Sequence, residues 1–275
     1  MTEAQYWDKR AGSYAQHWAP VAEVAGRALL DRLASEAAGA AEMRNLLDLG
    51  TGTGVVAIDA VRRWPSLRCV GVDLSPVMLD HARSAATMLD PVESGRLQWV
   101  EANAEQLPFE ANSFDAAVSA FLYQFLVDRR AMLAEVRRVL RAGGIFAFVT
   151  WQAGGGGRFA PDDIVGEVLK DEGIEWADNG GPPSRRPPSP RAAAAELRRS
   201  GFERVAARAV RLTWRTDRDS FLRRMEEDDL PLTFQRMDSR TRQRVRKRIA
   251  ERLSHLESDA FEDSAQLVSV IARSR

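Results

Sequence analysis

Short apolar segments alternate with helix-like stretches from residue 45 onward, and this alternation restricts the fold more than any other feature of the chain. Runs rich in Val, Ile, Leu and Phe, separated by helical periodicity, are typical of strand and crossover-helix units that build a parallel sheet. We expect strands at Asn45 to Gly50, Leu67 to Leu74, Leu97 to Ala102, Phe114 to Phe121 and Gly144 to Trp151. The sequence therefore predicts a doubly wound α/β domain.

Capping residues mark where helices begin and end between these strands. Ser75 can accept a hydrogen bond from a free backbone N–H of the first turn, and Pro76 suits the first helical position. Asp128 opens another helix in the same way, and we expect Gly143-Gly144 to stop that helix before the next strand.

The last third of the chain changes in character. The Pro-rich stretch from Gly180 to Pro190 predicts a surface loop, because its prolines remove backbone donors. After it we expect a helix at Arg191 to Ser200, a strand near Phe202 to Trp214, a helical block from Asp217 to about His255 and a final strand at Gln266 to Ala272. The block separates two strands that would otherwise be neighbours, so residues 217–257 are interpreted as a helical cap.

A glycine-rich turn follows the first strand and opens a helix. Its sequence is Asp48-Leu-Gly50-Thr-Gly52-Thr-Gly54, and Asp73 closes the second strand nineteen residues later. Glycine permits a tight turn and lets a ligand approach the backbone, while a carboxylate at the strand end can accept hydrogen bonds from both ribose hydroxyls. Together they predict a site for a nucleotide-like cofactor. The alternative is that the turn serves geometry alone and that Asp73 only caps the next helix.

A dinucleotide is the alternative cofactor, because Gly52-x-Gly54-x-x-Ala57 satisfies the loose form of the dinucleotide fingerprint. Asp48, four residues before Gly52, argues against it, since its charge favours a cationic ligand group over a pyrophosphate. The chain also has no Tyr-x-x-x-Lys spacing of the kind that an oxidoreductase of this class needs.

The motifs LLDLGTGTG, VGVDLSPVML, ANAEQLPF, SFDAAVSAF and EVRRVLRAGG occur in order over residues 45–151. In this order and spacing the chain resembles the class I methyltransferases that use S-adenosylmethionine, especially those similar to the ubiquinone/menaquinone-biosynthesis group. The resemblance implies a Rossmann-like seven-stranded sheet whose last strand is antiparallel. It also implies an N-terminal helical lid at 1–44 and a methyltransferase domain at 45–275 that carries the cap.

The resemblance also assigns cofactor-binding residues. Asp48, Gly50, Gly52 and Gly54 would surround the methionine part, Asp73 the ribose, Leu74 and Met78 the adenine face, and Asn103 and Ala104 the adenine edge; Thr51, Glu105 and Ser119 complete the set. The family more often has aspartate where this chain has Asn103, whose amide oxygen can still accept a hydrogen bond.

Two tyrosines are the candidate catalytic residues. Tyr123 follows the fourth strand, where it can orient or deprotonate an acceptor; core packing is the competing interpretation. Tyr14, with Trp18, lies in an aromatic lead-in that in the family folds over the cofactor and could exclude water. His81 is interpreted as a surface residue. No His, Asp or Glu set has metal-ligand spacing on one helix, so we expect no metal.

Charge and cysteine usage bear on partners and location. The 39 basic and 39 acidic residues cancel, and the arginines of the cap lack interleaved aromatics, so nucleic acid is not expected. The single cysteine and the absence of a long apolar segment predict a cytoplasmic protein without a membrane span.

The expected function is methylation of a small molecule, of the quinone-precursor or secondary-metabolite type. A nicotinamide-dependent oxidoreductase and a non-catalytic regulator that binds S-adenosylmethionine are the alternatives, and a homodimer is left open.

Overall fold

Seven strands form one sheet in the computed structural model, which describes residues 2–37, 43–177, 184–187 and 189–275. The strand order is β3-β2-β1-β4-β5-β7-β6. The strands are β1 (Asn45–Leu49), β2 (Arg68–Asp73), β3 (Leu97–Glu101), β4 (Phe114–Ala120), β5 (Leu140–Gly156), β6 (Glu203–Arg215) and β7 (Glu262–Arg273). All of the strands expected from the sequence are present, with ends shifted by a few residues.

The first five strands are parallel and the last is not. β1 pairs in parallel with β2 and β4, β2 with β3, and β4 with β5. β7 runs antiparallel to β5: the Gly143 N–H donates to the Ser274 carbonyl (3.0 Å), and the Ser274 N–H donates to the Gly144 carbonyl (2.8 Å). The Rossmann-like α/β sheet with an antiparallel last strand is therefore confirmed.

Eleven α-helices connect these strands in the described part of the chain. They are α1 (Glu3–His17), α2 (Ala19–Ala37), α3 (Val55–Arg63), α4 (Pro76–Ala86), α5 (Pro91–Ser94), α6 (Arg129–Val139), α7 (Ala160–Asp171), α8 (Pro190–Arg199), α9 (Arg218–Arg224), α10 (Pro231–Gln235) and α11 (Ser239–Leu253). A π-helix (Met225–Asp229) and a 3-10 helix (Ser258–Phe261) complete the set. Ser75 and Asp128 cap α4 and α6 through the backbone N–H groups of Met78 and Ala131, as the sequence predicts.

The expectation that Gly143-Gly144 stops a helix is wrong. α6 ends at Val139 and β5 begins at the next residue, so both glycines lie inside β5. The pairing of β4 with β5 is irregular at its start, with a register shift between Phe114 and Ala116. Gly143 has a φ of 74°, and a Cβ on Gly144 would lie 2.8 Å from the Arg141 carbonyl oxygen. Here the glycines permit an irregular strand start rather than a helix end.

The chain divides into two compact units. Unit 1 contains residues 1–155, 182–210 and 266–275, and unit 2 contains residues 156–181 and 211–265. The core of unit 1 packs β-strand residues such as Phe146 and Phe148 against α6 residues such as Leu133 and Val136. Cys69 on β2 is fully buried, and burial raises the pKa of its thiol. The boundaries proposed for an N-terminal lid and for the cap remain predictions.

In unit 2 the arginine-rich helix α11 packs on α7. Val245, Ile249 and Leu253 form its buried stripe. Four of its arginines are paired with acidic side chains: Arg244 and Arg248 with Glu172 (2.9 and 2.7 Å), Arg246 with Glu226 (2.7 Å) and Arg252 with Glu167. This pairing agrees with the interpretation of the basic run as an internally neutralised helix face.

Three further results concern expectations from the sequence. Residues 180–183 and 188 of the Pro-rich stretch 180–190 lie outside the described residues, and residues 184–187 have no regular secondary structure. In the described ranges, no helix combines the length and apolar character that a bilayer crossing requires. The same residues contain no group of three or more His, Cys, Asp or Glu side chains arranged to hold a metal ion.

Candidate functional site

The glycine-rich turn after β1 depends on backbone conformations that only glycine adopts readily. Gly50, Gly52 and Gly54 have φ values of 64°, 53° and 82°. A Cβ on Gly50 would lie 2.8 Å from the Leu122 Cβ, so the turn also lies too close to the segment after β4 for a side chain. The N–H of Thr51 donates to the Val72 carbonyl (2.9 Å), which holds the turn against the end of β2.

Asp73 joins this turn to the start of α4. Its Oδ2 accepts a hydrogen bond from the Gly52 N–H (2.8 Å), and its Oδ1 accepts one from the Ser75 N–H (3.0 Å). Burial raises the pKa of Asp73, while these backbone donors act in the opposite direction. A carboxylate offers about four acceptor positions, so Asp73 can still receive two hydroxyl donors from a ligand.

Asp48 lies directly beneath the same turn. It is buried, and the Thr51 hydroxyl donates to its Oδ2 (2.7 Å). Burial is the main cause that raises the pKa of Asp48 to about 7, and the charge of Asp73 adds to it. In the ligand-free protein Asp48 therefore titrates near neutral pH, and a nearby cation would favour its charged form.

Replacing Asp48 by asparagine should stabilise the ligand-free protein. The pKa of about 7 exceeds the value of about 4 expected in an unfolded chain, so the folded state holds a proton that the unfolded state releases, and stability falls as pH rises from about 4 to about 7. At pH 8 we expect Asp48→Asn to raise the free energy of unfolding by about 2 kcal/mol, since one pKa unit is worth ~1.4 kcal/mol and the charged bond from Thr51 is lost.

Urea unfolding at pH 8 and pH 5 measures this effect. The difference between variant and parent should shrink at the lower pH, where the folded parent is protonated. A variant that is less stable than the parent at pH 8 would contradict the expectation. Glu93→Gln on the short helix α5, outside the site, serves as the control for a charge removed elsewhere.

A cavity of about 390 Å³ opens beside the turn, at the carboxyl ends of β1, β2 and β4. It falls in the size range of small-molecule sites. The structure brings together most of the site residues predicted from the sequence; those that line the cavity are Tyr14, Gly50, Gly52, Asp73, Leu74, Met78, Asn103, Ala104 and Glu105. Among them, Asn103 already accepts a hydrogen bond through its Oδ1 from the Glu105 N–H (2.8 Å), which fixes its side chain.

Five predicted residues do not line this cavity: Asp48, Thr51, Gly54, Ser119 and Tyr123. Asp48 and Thr51 stabilise the turn from within, through the hydrogen bond between their side chains. Ser119 is a buried residue of β4. A Cβ on Gly54 would lie 2.7 Å from the Trp99 ring and 3.0 Å from the Ala82 Cβ. Gly54 therefore faces the protein interior rather than a ligand.

Tyr123 is part of the core of unit 1. Its ring is fully buried and stacks on Phe148, with centroids 4.2 Å apart and an interplanar angle of 12°. The Arg129 guanidinium lies 4.6 Å from the ring centroid on a face of Tyr123. Burial, followed by the charge of Glu196, raises the pKa of Tyr123. A phenol that is harder to ionise and lies outside the cavity is poorly placed to act as a base.

We therefore expect Tyr123→Phe to leave the affinity of the cavity for its ligand unchanged within about twofold. The ring stacking on Phe148 is kept, and the hydroxyl that is removed belongs to a residue that does not line the cavity. Calorimetric titration of parent and variant measures this, with thermal unfolding as the check on folding. If a folded variant lost more than about tenfold in affinity, Tyr123 would have to be part of the binding site.

Several lining residues were not predicted from the sequence. They come from α1 (Glu3 and Trp7) and from the segment after β4 (Phe121, Leu122, Phe125, Leu126 and Val127). The two groups meet: the rings of Trp7 and Phe125 are 5.1 Å apart in an edge-to-face contact. The signal in the sequence was the spacing of Glu3 and Trp7, which places them on the same face of a helix.

Trp18, which was paired with Tyr14 in the sequence interpretation, takes a different position. Its ring contacts Trp151 with centroids 6.3 Å apart, and Trp151 stacks on Phe121 at 4.7 Å. Trp18 does not line the cavity. Tyr14 does, and burial, followed by the charges of Asp73 and Asp48, raises the pKa of its phenol. Tyr14 is therefore neutral at physiological pH and available as a hydrogen-bond donor.

Two sets of hydrogen bonds stabilise α1 and its position at the cavity. At its start, Thr2 and Gln5 form a capping box in which each side chain accepts from the other residue's backbone N–H. Further along, Asp8 accepts a hydrogen bond from the Ser75 hydroxyl (2.6 Å), and the same oxygen of Ser75 caps α4 by accepting from the Met78 N–H (3.0 Å). The position of α1 is thus tied to Ser75, whose own N–H donates to Asp73.

The chemistry of the cavity follows from its lining. Among the described residues that form it, Glu3, Asp73 and Glu105 carry carboxylates, and none is Lys, Arg or His. Apart from the amide of Asn103, the remainder are aromatic, apolar or glycine residues. Such a cavity suits a ligand that brings hydroxyl or amino donors and positive charge, and it disfavours a pyrophosphate.

Comparison with known proteins gives the same family as the motifs. Residues 47–148 match the model of a methyltransferase domain. The ubiquinone/menaquinone biosynthesis C-methyltransferase UbiE of Geobacter sp. strain M21 is 40% identical over 100 residues, which are 36% of this chain and 42% of that relative. The chain thus matches less than half of the length of that curated relative.

Solved structures share the fold at low identity. The YcgJ protein of Bacillus subtilis superposes with a TM-score of 0.55 at 20% identity, covering 88% of this chain and 97% of that one. Phosphoethanolamine N-methyltransferase 2 of Haemonchus contortus, in complex with phosphomonomethylethanolamine and S-adenosylhomocysteine, gives a TM-score of 0.51 at 19% identity, covering 90% and 52%. Residues 47–148 of the chain therefore match the methyltransferase domain family, and its sheet has the Rossmann-like fold of these solved structures.

Proposed function

We propose that the protein binds S-adenosylmethionine in the cavity of unit 1 and transfers its methyl group to a small-molecule acceptor. The observation that carries this proposal is the position of Asp73, whose carboxylate lines the cavity while the turn at Gly52 and the start of α4 hold both of its oxygens in place. A fixed carboxylate at the end of β2 is the group that recognises a ribose diol in sheets of this kind.

The residues present fit this cofactor. Gly50 and Gly52 line the cavity with backbone that carries no side chain, and Asp73 has acceptor positions left for two hydroxyls. Leu74 and Met78 would hold the adenine face, with Asn103 and Ala104 at its edge. Buried Asp48, beneath the turn, would face the ammonium group of the methionine part. The acidic lining also argues against the nicotinamide dinucleotide alternative.

Catalysis requires little from the protein beyond alignment. When bound, the cofactor supplies a methyl group that is already activated by its sulfonium. The chain's own residues then hold the acceptor in line with that carbon and keep water away, which are the larger contributions to such a transfer. Trp7, Phe121 and Phe125 provide the apolar walls. Tyr14, neutral because its pKa is raised, would donate a hydrogen bond rather than remove a proton.

The acceptor side of the cavity is apolar. Phe121, Leu122, Phe125, Leu126 and Val127 form it, and none of these can ionise. An acceptor with an aromatic or aliphatic body fits this surface better than a highly charged one. The name of the Geobacter relative, a ubiquinone/menaquinone biosynthesis C-methyltransferase, supports a quinone precursor as the first class to test, with secondary metabolites as the next. Cytoplasmic location and a homodimer stay predictions.

The test has two parts. Calorimetric titration with S-adenosylhomocysteine and, separately, with NADH should give micromolar binding of the first only. Incubation with methyl-labelled S-adenosylmethionine and a panel of hydroquinones and phenols should then transfer label to at least one acceptor. Binding of NADH alone, or of neither compound, contradicts the proposal. Binding of S-adenosylhomocysteine without transfer to any acceptor favours the non-catalytic regulator.

A further inference from the structure

Three carboxylates line the cavity, and two of them already have a fixed place. Asp73 accepts backbone N–H groups from the glycine-rich turn and from the start of α4. Glu105 accepts the N–H of Asp128 (2.8 Å) through its Oε1. The third carboxylate is that of Glu3, which lies on the first turn of α1 and reaches the same cavity. Its role is not explained by the contacts of the turn.

Glu3 is held at the cavity by an aromatic neighbour. Trp7 lies one helical turn further along α1, and its side chain donates a hydrogen bond to the Glu3 carboxylate. The Trp7 ring in turn packs edge-to-face on Phe125, with centroids 5.1 Å apart. A carboxylate offers about four acceptor positions, so Glu3 can still accept hydrogen bonds from a ligand.

The charges around Glu3 indicate which part of the cavity it faces. Burial is the main cause that raises the pKa of Glu3, and the charge of Glu105 follows, ahead of that of Asp73. The stronger effect of Glu105 places Glu3 toward residues 103–105. The proposed function puts the edge of the adenine ring at Asn103 and Ala104, in this same part of the cavity.

The edge of adenine brings more donors than Asn103 can accept. The 6-amino group of adenine carries two N–H donors. Asn103 has one amide oxygen with two lone pairs, and this oxygen already accepts the Glu105 N–H (2.8 Å). One acceptor position therefore remains for two donors, and a buried donor without an acceptor costs binding free energy. A carboxylate beside the amino group would supply the second acceptor, in a charge-assisted hydrogen bond.

We propose that Glu3 is a specificity-determining residue that accepts a hydrogen bond from the 6-amino group of adenine. This inference rests on the proposed function. Recognition of the base is then shared between the segment after β3, which contributes Asn103, and α1, which contributes Glu3. Because methyl transfer leaves the adenine unchanged, the contact is the same for the methyl donor and for its product.

The test compares two ligands that differ only in this amino group. They are S-adenosylhomocysteine and its analogue whose purine lacks the 6-amino group, each titrated by calorimetry. In the parent chain we expect the Kd of the analogue to exceed that of S-adenosylhomocysteine by more than about tenfold. Glu3→Ala should lower this ratio by about five- to tenfold, as expected for one hydrogen bond to a charged acceptor. The affinity for the analogue should stay within about twofold of the parent value.

Two further variants separate recognition of the base from a structural role. Glu3→Gln keeps a neutral acceptor and should give a ratio between those of the parent and of Glu3→Ala. Asp80→Asn removes an exposed carboxylate of α4 that pairs with Arg83 and should leave the ratio at the parent value. A carboxylate in the first turn also stabilises a helix. If this were the only role of Glu3, Glu3→Ala would weaken both ligands equally and leave the ratio unchanged.

An unchanged ratio overturns the inference, as does a parent chain that binds the two ligands equally well. Its failure is distinguishable from failure of the proposed function. If neither ligand binds the parent chain, the proposed function itself is wrong. If S-adenosylhomocysteine binds and Glu3→Ala does not change the ratio, cofactor binding stands and only the role of Glu3 is lost.

Discussion

Replacing Asp73 by alanine is expected to lower the affinity for S-adenosylhomocysteine by about 100-fold or more. The variant loses the acceptor for two ribose hydroxyls, and hydrogen bonds to a charged group are worth roughly 1.5–3 kcal/mol each. It also leaves the N–H groups of Gly52 and Ser75 without their acceptor, which loosens the turn that the ligand contacts. At ~1.4 kcal/mol per factor of ten, two lost bonds give this range. Calorimetric titration measures it directly.

Two matched variants make that result interpretable. Asp73→Asn keeps a carbonyl oxygen for one backbone donor and should fall between the parent and the alanine variant. Asp80→Asn, which removes an exposed carboxylate seven residues further along, should bind like the parent. If Asp73→Ala were to bind within about threefold of the parent while remaining folded, Asp73 would be a helix-capping residue only, and the proposed cofactor site would be wrong.

Replacing Gly54 by alanine is expected to lower the free energy of unfolding by about 2–4 kcal/mol. A left-handed φ costs a residue with a Cβ roughly 1–2 kcal/mol, and overfilling a packed region costs about 1–3 kcal/mol. Gly54 has a φ of 82°, and its added Cβ would lie 2.7 Å from the Trp99 ring. The same ring also packs closely on Gly71, where a Cβ would lie 2.6 Å from it, so Trp99 has little room to move away. Urea unfolding followed by circular dichroism measures the loss.

Gly12→Ala is the matched control for this substitution. Gly12 lies within α1 with open space around its Cβ position, so the same chemical change should stabilise the protein by about 0.5–1 kcal/mol through helix propensity. Opposite signs at Gly54 and Gly12 would show that backbone conformation and Trp99 decide the outcome. A Gly54→Ala variant as stable as the parent would mean that the turn relaxes without strain.

The parts of the fold that were predictable depend on local sequence. Apolar runs between turn residues located the strands of the sheet, and the side chains of Ser75 and Asp128 marked helix starts that the structure reproduces. The prediction that Gly143-Gly144 stops a helix was wrong because glycine is common both at helix ends and in irregular strands. Only the register of β4 against β5 decides between the two. That register involves residues distant in the sequence.

The same division applies to the candidate site. Asp73, Gly52 and Met78 were predictable because the motif fixes their places on consecutive elements, and all three line the cavity. Tyr123 follows β4 closely, but the phenol turns toward Phe148 and away from the cavity, which residue spacing does not encode. Glu3 was missed because its role depends on where α1 packs, and that is fixed by the contact between Asp8 and Ser75 across 67 positions.

The burial of Cys69 makes the protein a ready scaffold for site-specific labelling. Maleimides react with the thiolate form of an accessible cysteine, and this thiol is both inaccessible and hard to ionise. Because Cys69 is the single cysteine of the sequence, a cysteine introduced at the exposed position Gly12 would carry the dye alone. A fluorophore there sits on the helix that bears Glu3 and Trp7, so its anisotropy would report whether that helix moves when a ligand enters.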